Sequence, residues 1–138
     1  MRTLGIDYGD SRVGIAITDP LGITAQGLET ISHNGNDKIL LKRLDEIMEQ
    51  YQIGTIVVGM PFNMDGSKTI RAEVTEKFIH KLKCKNNKML ITTIDERLTT
   101  VAAHKTMNFL DISKTKKRGI VDTISAVYIL ETYMNKNK

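Results

Sequence analysis

The chain has 138 residues, 41% of them hydrophobic and 26% charged. That is one domain's worth of sequence with enough apolar content for an ordinary core, which excludes wholesale disorder and a two-domain enzyme with a cleft between halves. The net charge of +4 is unevenly spread: residues 1–69 hold 6 Lys/Arg against 9 Asp/Glu, and residues 70–138 hold 14 against 7. A basic second half suits an anionic partner, nucleic acid foremost, or else a solvated lysine surface.

No apolar run nears the roughly 20 residues that a membrane span needs. The opening MRTLGIDYGD has charges where a signal peptide would carry its apolar centre, so a cytoplasmic location with no leader is expected. The single cysteine, Cys84, leaves no partner for an internal disulfide and no cysteine-rich zinc site. Aromatic residues are 5% with no Trp, which offers no obvious platform for stacking bases.

Three strands are predicted first, over residues 2–8, 12–18 and 23–31. In the second, Val13, Ile15 and Ile17 alternate with Gly14, Ala16 and Thr18, a period of two. The links Gly9-Asp10-Ser11 and Asp19-Pro20-Leu21-Gly22 are turn residues, so the three form an antiparallel meander. A helix follows from Asn34 to Gln52, with Leu40, Leu44, Ile47, Met48 and Tyr51 at helical spacing. Thr55–Gly59 is a short apolar strand of the kind buried in a parallel sheet. The loop MPFNMDGS leads to a second helix, capped by Asp65 or Ser67, with Ile70, Val74, Phe78 and Leu82 on one face.

Met89–Ile94 is the fifth strand, with Asp95, Glu96 and Arg97 just past it. A helix is expected near Thr99 or Thr100. Ser113–Gly119 (SKTKKRG) then reads as a mobile basic loop. Ile120–Met134 reads as a last helix, apolar almost all round and therefore buried, with residues 135–138 fraying. The expectation is a single α/β domain over residues 1–138, a mixed sheet with helices on its faces and its chemistry at the carboxyl ends of the strands.

Acids stand where acids are unwelcome: Asp7 within an apolar strand, Asp95 and Glu96 at the end of another, and Asp122 in an apolar helix. A lone buried carboxylate is costly, and several together repel unless a cation intervenes. Mg²⁺ or Mn²⁺ is the natural compensator, and a pair of such ions about 4 Å apart suits phosphodiester hydrolysis. Each acid also has a plainer reading. Asp7 could bond turn amides near Gly9, Asp95 or Glu96 could cap a helix or pair with Arg97, and Asp122 could be an N-cap.

Arg12 and Arg97 lie near these acids, either to neutralise them or to contact phosphate. Lys114, Lys116, Lys117 and Arg118 are the densest basic run, either a solvated loop or a phosphate grip ahead of Asp122. His33, His80 and His104 share no metal-ligand spacing and read as surface residues. Cys84 reads as inert, and Met60 and Met64 as packing residues.

GIDYGDSRVGIAITDPLG, VVGMPFNMDGS, IDERLTT and the basic run followed by IVDTISAVYIL, in that order and spacing, resemble the YqgF family, also called RuvX or Holliday-junction resolvase-like. The match runs from Met1 to about Tyr133, and the blocks together are specific although each alone is weak. GIDYG by itself is also similar to the first phosphate loop of actin-like and sugar-kinase ATPases. The resemblance implies an RNase H-like fold with a five-stranded mixed sheet. It also implies a metal-dependent nuclease, using Mg²⁺ or Mn²⁺, that processes the 5′ end of the 16S ribosomal RNA precursor.

The family's carboxylates map onto Asp7, Glu96 and Asp122, with Asp95 as the alternate ligand. Strand alternation points Asp95 and Glu96 to opposite sides. Resolvases of this superfamily place a Glu after the fourth strand; here no acid follows Gly59 until Asp65. Asn63 or Asp65 would substitute, or one ion suffices. Arg12, Asn63, Arg97 and the basic run Lys114, Lys116, Lys117 and Arg118 are the implied nucleic-acid contacts.

Three rivals use the same residues differently. A Holliday-junction resolvase would cut branched DNA as a dimer. A non-catalytic nucleic-acid-binding module would keep the fold without the chemistry. An actin-like ATP-binding protein needs two such domains, which this length does not supply. RNA is the expected partner, and a monomer or weak homodimer the expected state.

Overall fold

The computed structural model describes residues 1–86, 88–98 and 114–136. Three strands, β1 (Arg2–Tyr8), β2 (Arg12–Thr18) and β3 (Ala25–Ser32), form the antiparallel meander. Helix α1 (Asp37–Tyr51) leads to β4 (Ile53–Met60), and α2 (Ile70–Lys85) leads to β5 (Leu90–Asp95). A single 3-10 turn, Glu96–Leu98, follows β5, and α3 (Lys114–Lys136) closes the described chain. The sheet order is β3-β2-β1-β4-β5, with β4 parallel to β1 and β5 parallel to β4.

Period-two alternation sorts the strand residues onto two faces. Leu4, Ile6, Val13, Ile15, Ile56 and Val58 point to one face and join the buried faces of α1 and α2. On α1 that face is Leu40, Leu44 and Ile47; on α2 it is Phe78 and Leu82, all fully buried. The other face carries smaller residues and receives α3 through Ala126, Ile129 and Leu130. The close approach requires glycine in the strands. A Cβ on Gly5 would lie 2.9 Å from Leu130 Cβ, and one on Gly14 only 2.0 Å from the Asp122 carbonyl oxygen.

Several expectations change. Thr69, not Asp65 or Ser67, caps α2: its Oγ1 accepts from the Ala72 amide and donates to the Pro61 carbonyl at 2.6 Å. Asp65 instead accepts from the Ser67 amide and hydroxyl, which folds the loop on itself. Lys114–Gly119 is not a loop but the opening of α3. Lys and Arg are good helix formers, and one glycine in a long helix is tolerable, so the run continues into Ile120 without a break. The helix also reaches Lys136, past the expected fraying point. It buries one stripe rather than its whole circumference, with Glu131 exposed. The helix expected near Thr99 lies outside the described residues, as does His104.

His33 is buried, 1% exposed, rather than on the surface. Its Nε2 donates to the Gly9 carbonyl at 2.9 Å, and its Nδ1 accepts from the Gly35 amide at 3.1 Å. Its own amide donates to the Ser11 carbonyl at 2.9 Å. The imidazole therefore braces the β1–β2 turn from the end of β3.

Candidate active site

The carboxyl ends of β1, β4 and β5 lie side by side, because these three strands are parallel neighbours. Asp7 is the last-but-one residue of β1 and shares the α3 face with Gly5. Its register partner on β2 is Gly14. The missing side chain at Gly14 lets the backbone of Asp122 settle against β2, which puts that residue next to the Asp7 end of the sheet. Gly59 does the same at the end of β4. A Cβ there would lie 2.6 Å from Glu96 Oε1, so the Glu96 carboxyl occupies the space above that glycine.

Glu96 reaches Asp7 and donates a hydrogen bond to it. Burial, the Asp7 charge and that hydrogen bond push the Glu96 carboxyl from 4.5 up to about 8, while Arg71 pulls it partly back. Asp95 faces the other way. Arg97 grips its carboxylate through Nε at 2.9 Å and holds it below the usual carboxylate range. Arg97 Nη1 also donates to the Met64 carbonyl at 3.1 Å, tying the loop after β4 to the end of β5. The guanidinium of Arg97 is thus paired with Asp95.

Asp122 is the ninth residue of α3, more than two turns in and not at its N-cap, and Arg12 Nε stands 3.1 Å from its Oδ2. A cavity of about 300 Å³ opens here, lined by Asp7, Asp10, Ser11, Arg12, Arg71 and Asp122. Asn63, Asp65, Glu96 and Arg97 do not line it. The Asn63 amide nitrogen donates to Ser67 Oγ at 2.9 Å within its own loop. The side chains of Lys114, Lys116, Lys117 and Arg118 lie outside the described part of α3.

Sequence reading missed Arg71. It is the second residue of α2, and its Nη2 donates to the Tyr8 carbonyl at 2.6 Å, 63 residues away in the chain. The one signal available was its place just after the loop of β4, at the edge where the acids gather.

Two neighbouring carboxyl groups in a half-buried place form a site that a hard cation would relieve. Among the described residues, though, no group of three or more His, Cys, Asp or Glu side chains is drawn together tightly enough to hold an ion. Asp7 and Glu96 fit as ligands where they stand; Asp122 fits as a third only on leaving Arg12. No helix among the described residues is long and apolar enough to cross a membrane.

A family model described as RuvX: Holliday junction resolvase matches residues 1–136. A protein of Ruminiclostridium cellulolyticum named "Putative pre-16S rRNA nuclease" is 54% identical over 136 residues, covering 99% of this chain and 95% of that protein. The protein of the same name from Acetivibrio thermocellus is 52% identical over 135 residues, covering 98% and 96%. Among solved structures, Thermus thermophilus RuvC in complex with a Holliday junction substrate aligns with TM-score 0.60 at 11% identity, covering 99% of this chain and 96% of that one. The fowlpox virus Holliday junction resolvase aligns with TM-score 0.55 at 12% identity, covering 99% of each. At these identities the likeness is one of fold, and the fold is RNase H-like.

Proposed function

The chain belongs to the RuvX family, and on that premise we propose that it is a metal-dependent nuclease that trims the 5′ end of the 16S rRNA precursor in the cytoplasm. The carrying observation is the Glu96 carboxyl seated above Gly59 and hydrogen-bonded to Asp7, with Asp122 across the same edge of the sheet. The names of the relatives supply the substrate class.

Asp7 and Glu96 would hold Mg²⁺ or Mn²⁺, with Asp122 joining them and Asp95 kept out by Arg97. Bound there, the ion supplies a Lewis acid that makes water more acidic and offsets charge building up on the phosphodiester oxygens. The chain's own residues set the conditions. Glu96 would release its proton to solvent on taking up the ion beside Asp7. Arg12, released from Asp122, presents its guanidinium to the cavity and the phosphate entering it. The loop closed by Arg97, which carries Asn63, shapes the approach of the strand. Lys114, Lys116, Lys117 and Arg118, in the first turns of α3, lead toward Asp122 and hold the backbone. A monomer or weak homodimer suffices for cutting a single strand.

The test is cleavage of an end-labelled ribosomal RNA precursor beside a four-way DNA junction, in Mg²⁺ and in Mn²⁺, with Asp7→Asn in parallel. RNA cutting that the variant loses by at least a hundredfold is the expected result. Cutting of the junction alone would replace rRNA processing by junction resolution. Binding without metal-dependent cutting of either would reduce the chain to a non-catalytic module.

A further inference from the structure

Three arginines stand at the carboxyl edge of the sheet, and they are engaged differently. Arg97 is consumed by Asp95 and the Met64 carbonyl. Arg12 is paired with Asp122, whose side chain is 20% exposed. Arg71 is held from behind by the Tyr8 carbonyl, and its Nη1 faces Asp10 Oδ1 at 3.1 Å. Asp10 is 82% exposed, the most exposed carboxylate in any described ion pair.

The anchoring bond fixes the guanidinium beside the residue that follows Asp7, within electrostatic reach of Glu96. An exposed pair of this kind holds its partners weakly, because water competes for both charges. A phosphate offers the same planar guanidinium fork two oxygens and more charge.

We propose that Arg71 is a phosphate-binding residue, and that Asp10 is a placeholder occupying its guanidinium until a backbone phosphate of the strand displaces it. The site takes a phosphodiester of a single nucleic-acid strand, entering over the Gly9–Ser11 turn and displacing the Asp10 carboxylate into solvent. The bond to Tyr8 persists throughout, so Arg71 reads the strand's position relative to Asp7. This rests on the nuclease reading only in supplying the ligand class, since the geometry at Arg71 is independent of any metal.

The experiment is fluorescence anisotropy of a fluorescein-labelled 20-nucleotide single-stranded RNA with the full chain in EDTA, across a salt series. Arg71→Ala should weaken binding about tenfold and flatten the slope of log K against log salt by about 0.7, one phosphate contact on a single strand. Arg71→Lys, which keeps the charge but not the fork, should fall between, and it carries the comparison should Arg71→Ala unfold. Asp10→Ala should tighten binding about threefold with Arg71 present and leave it unchanged in the Arg71→Ala background.

Arg71 variants with wild-type affinity and salt slope would overturn the proposal, as would wild-type chain that binds no RNA. Weaker binding by Asp10→Ala would overturn the placeholder. Cleavage run alongside separates the two readings. A chain that cuts while its binding ignores Arg71 sinks this inference alone. Arg71-dependent binding with no metal-dependent cutting sinks the nuclease reading and supports this one.

Discussion

Burial and the neighbouring Asp7 charge hold a proton on Glu96, and that proton has a consequence for stability. The carboxyl moves from 4.5 in the unfolded chain to about 8 in the folded one, so the folded state binds the proton more tightly. Between those values the unfolded chain has fewer protons bound, and stability falls as pH rises. The contribution is fully present below about 4.5 and gone above about 8. Urea unfolding in EDTA should therefore show the wild type losing stability from pH 5 to pH 8, with Glu96→Gln showing a flatter dependence. An identical slope in both would place the proton elsewhere. At the same scale, Gly59→Ala sets a methyl 2.6 Å from Glu96 Oε1 and 2.5 Å from Ile129 Cδ1. Both neighbours are ends of side chains and can yield, so folding should survive with a loss of about 1–3 kcal/mol. Displacing the Glu96 carboxyl should still cut kcat at least tenfold, read in the cleavage assay beside a thermal melt.

One helix and one turn carry the site at the scale of elements. Helix α3 can bring Asp122 to the sheet only because β2 has no side chain at Gly14, where a Cβ would meet the Asp122 carbonyl at 2.0 Å. That obstacle is backbone, so Gly14→Ala must push the helix off the strand. The expected loss is about 3 kcal/mol or more, together with cleavage activity, since Asp122 moves with the helix. A melt unchanged from wild type would mean that α3 packs otherwise in solution. The β1–β2 turn depends on His33, whose two ring nitrogens hold Gly9 and Gly35. His33→Ala leaves a buried carbonyl and amide without these partners, at about 1–3 kcal/mol. It should also loosen the turn carrying Asp10, which amide exchange at residues 9–12 would report.

Across the whole molecule, the two faces of the sheet do different work. The α1 and α2 face holds the large aliphatic core, built from Leu4, Ile6, Val13 and Ile15 against Leu40, Leu44 and Phe78. The α3 face is thinner and glycine-lined, and the acids sit at its carboxyl edge. Fold stability and the site are thus largely separate, and a bound cation should add to stability through the acid pair alone. At a hundredfold excess over its Kd the ion would contribute about 2.7 kcal/mol. Millimolar Mn²⁺ should raise the Tm of the wild type, EDTA should reverse the rise, and Asp7→Asn should show none. A rise retained in Asp7→Asn would put the ion elsewhere on the protein.

The strands were legible in the sequence because burial of one sheet face writes a period of two into Val13, Ile15 and Ile17, and burial of a strand on both faces writes an apolar run into residues 55–59. Asp7, Glu96 and Asp122 stood out for an equally local reason: a carboxylate in apolar surroundings is costly and needs a cause. The choice between Asp95 and Glu96 was half legible, since alternation separates them but does not say which side Asp7 takes. Tertiary structure sets the two apart, seating the Glu96 carboxyl above Gly59 on the face that α3 covers and Asp95 against Arg97. Three further features lay beyond local pattern. Arg71 meets Tyr8 across 63 residues, His33 is buried by a turn rather than by its own element, and Asp122 is paired with an arginine of another strand. Each is a contact between segments whose local sequence carries no trace of the partner, so only the folded chain could bring them together.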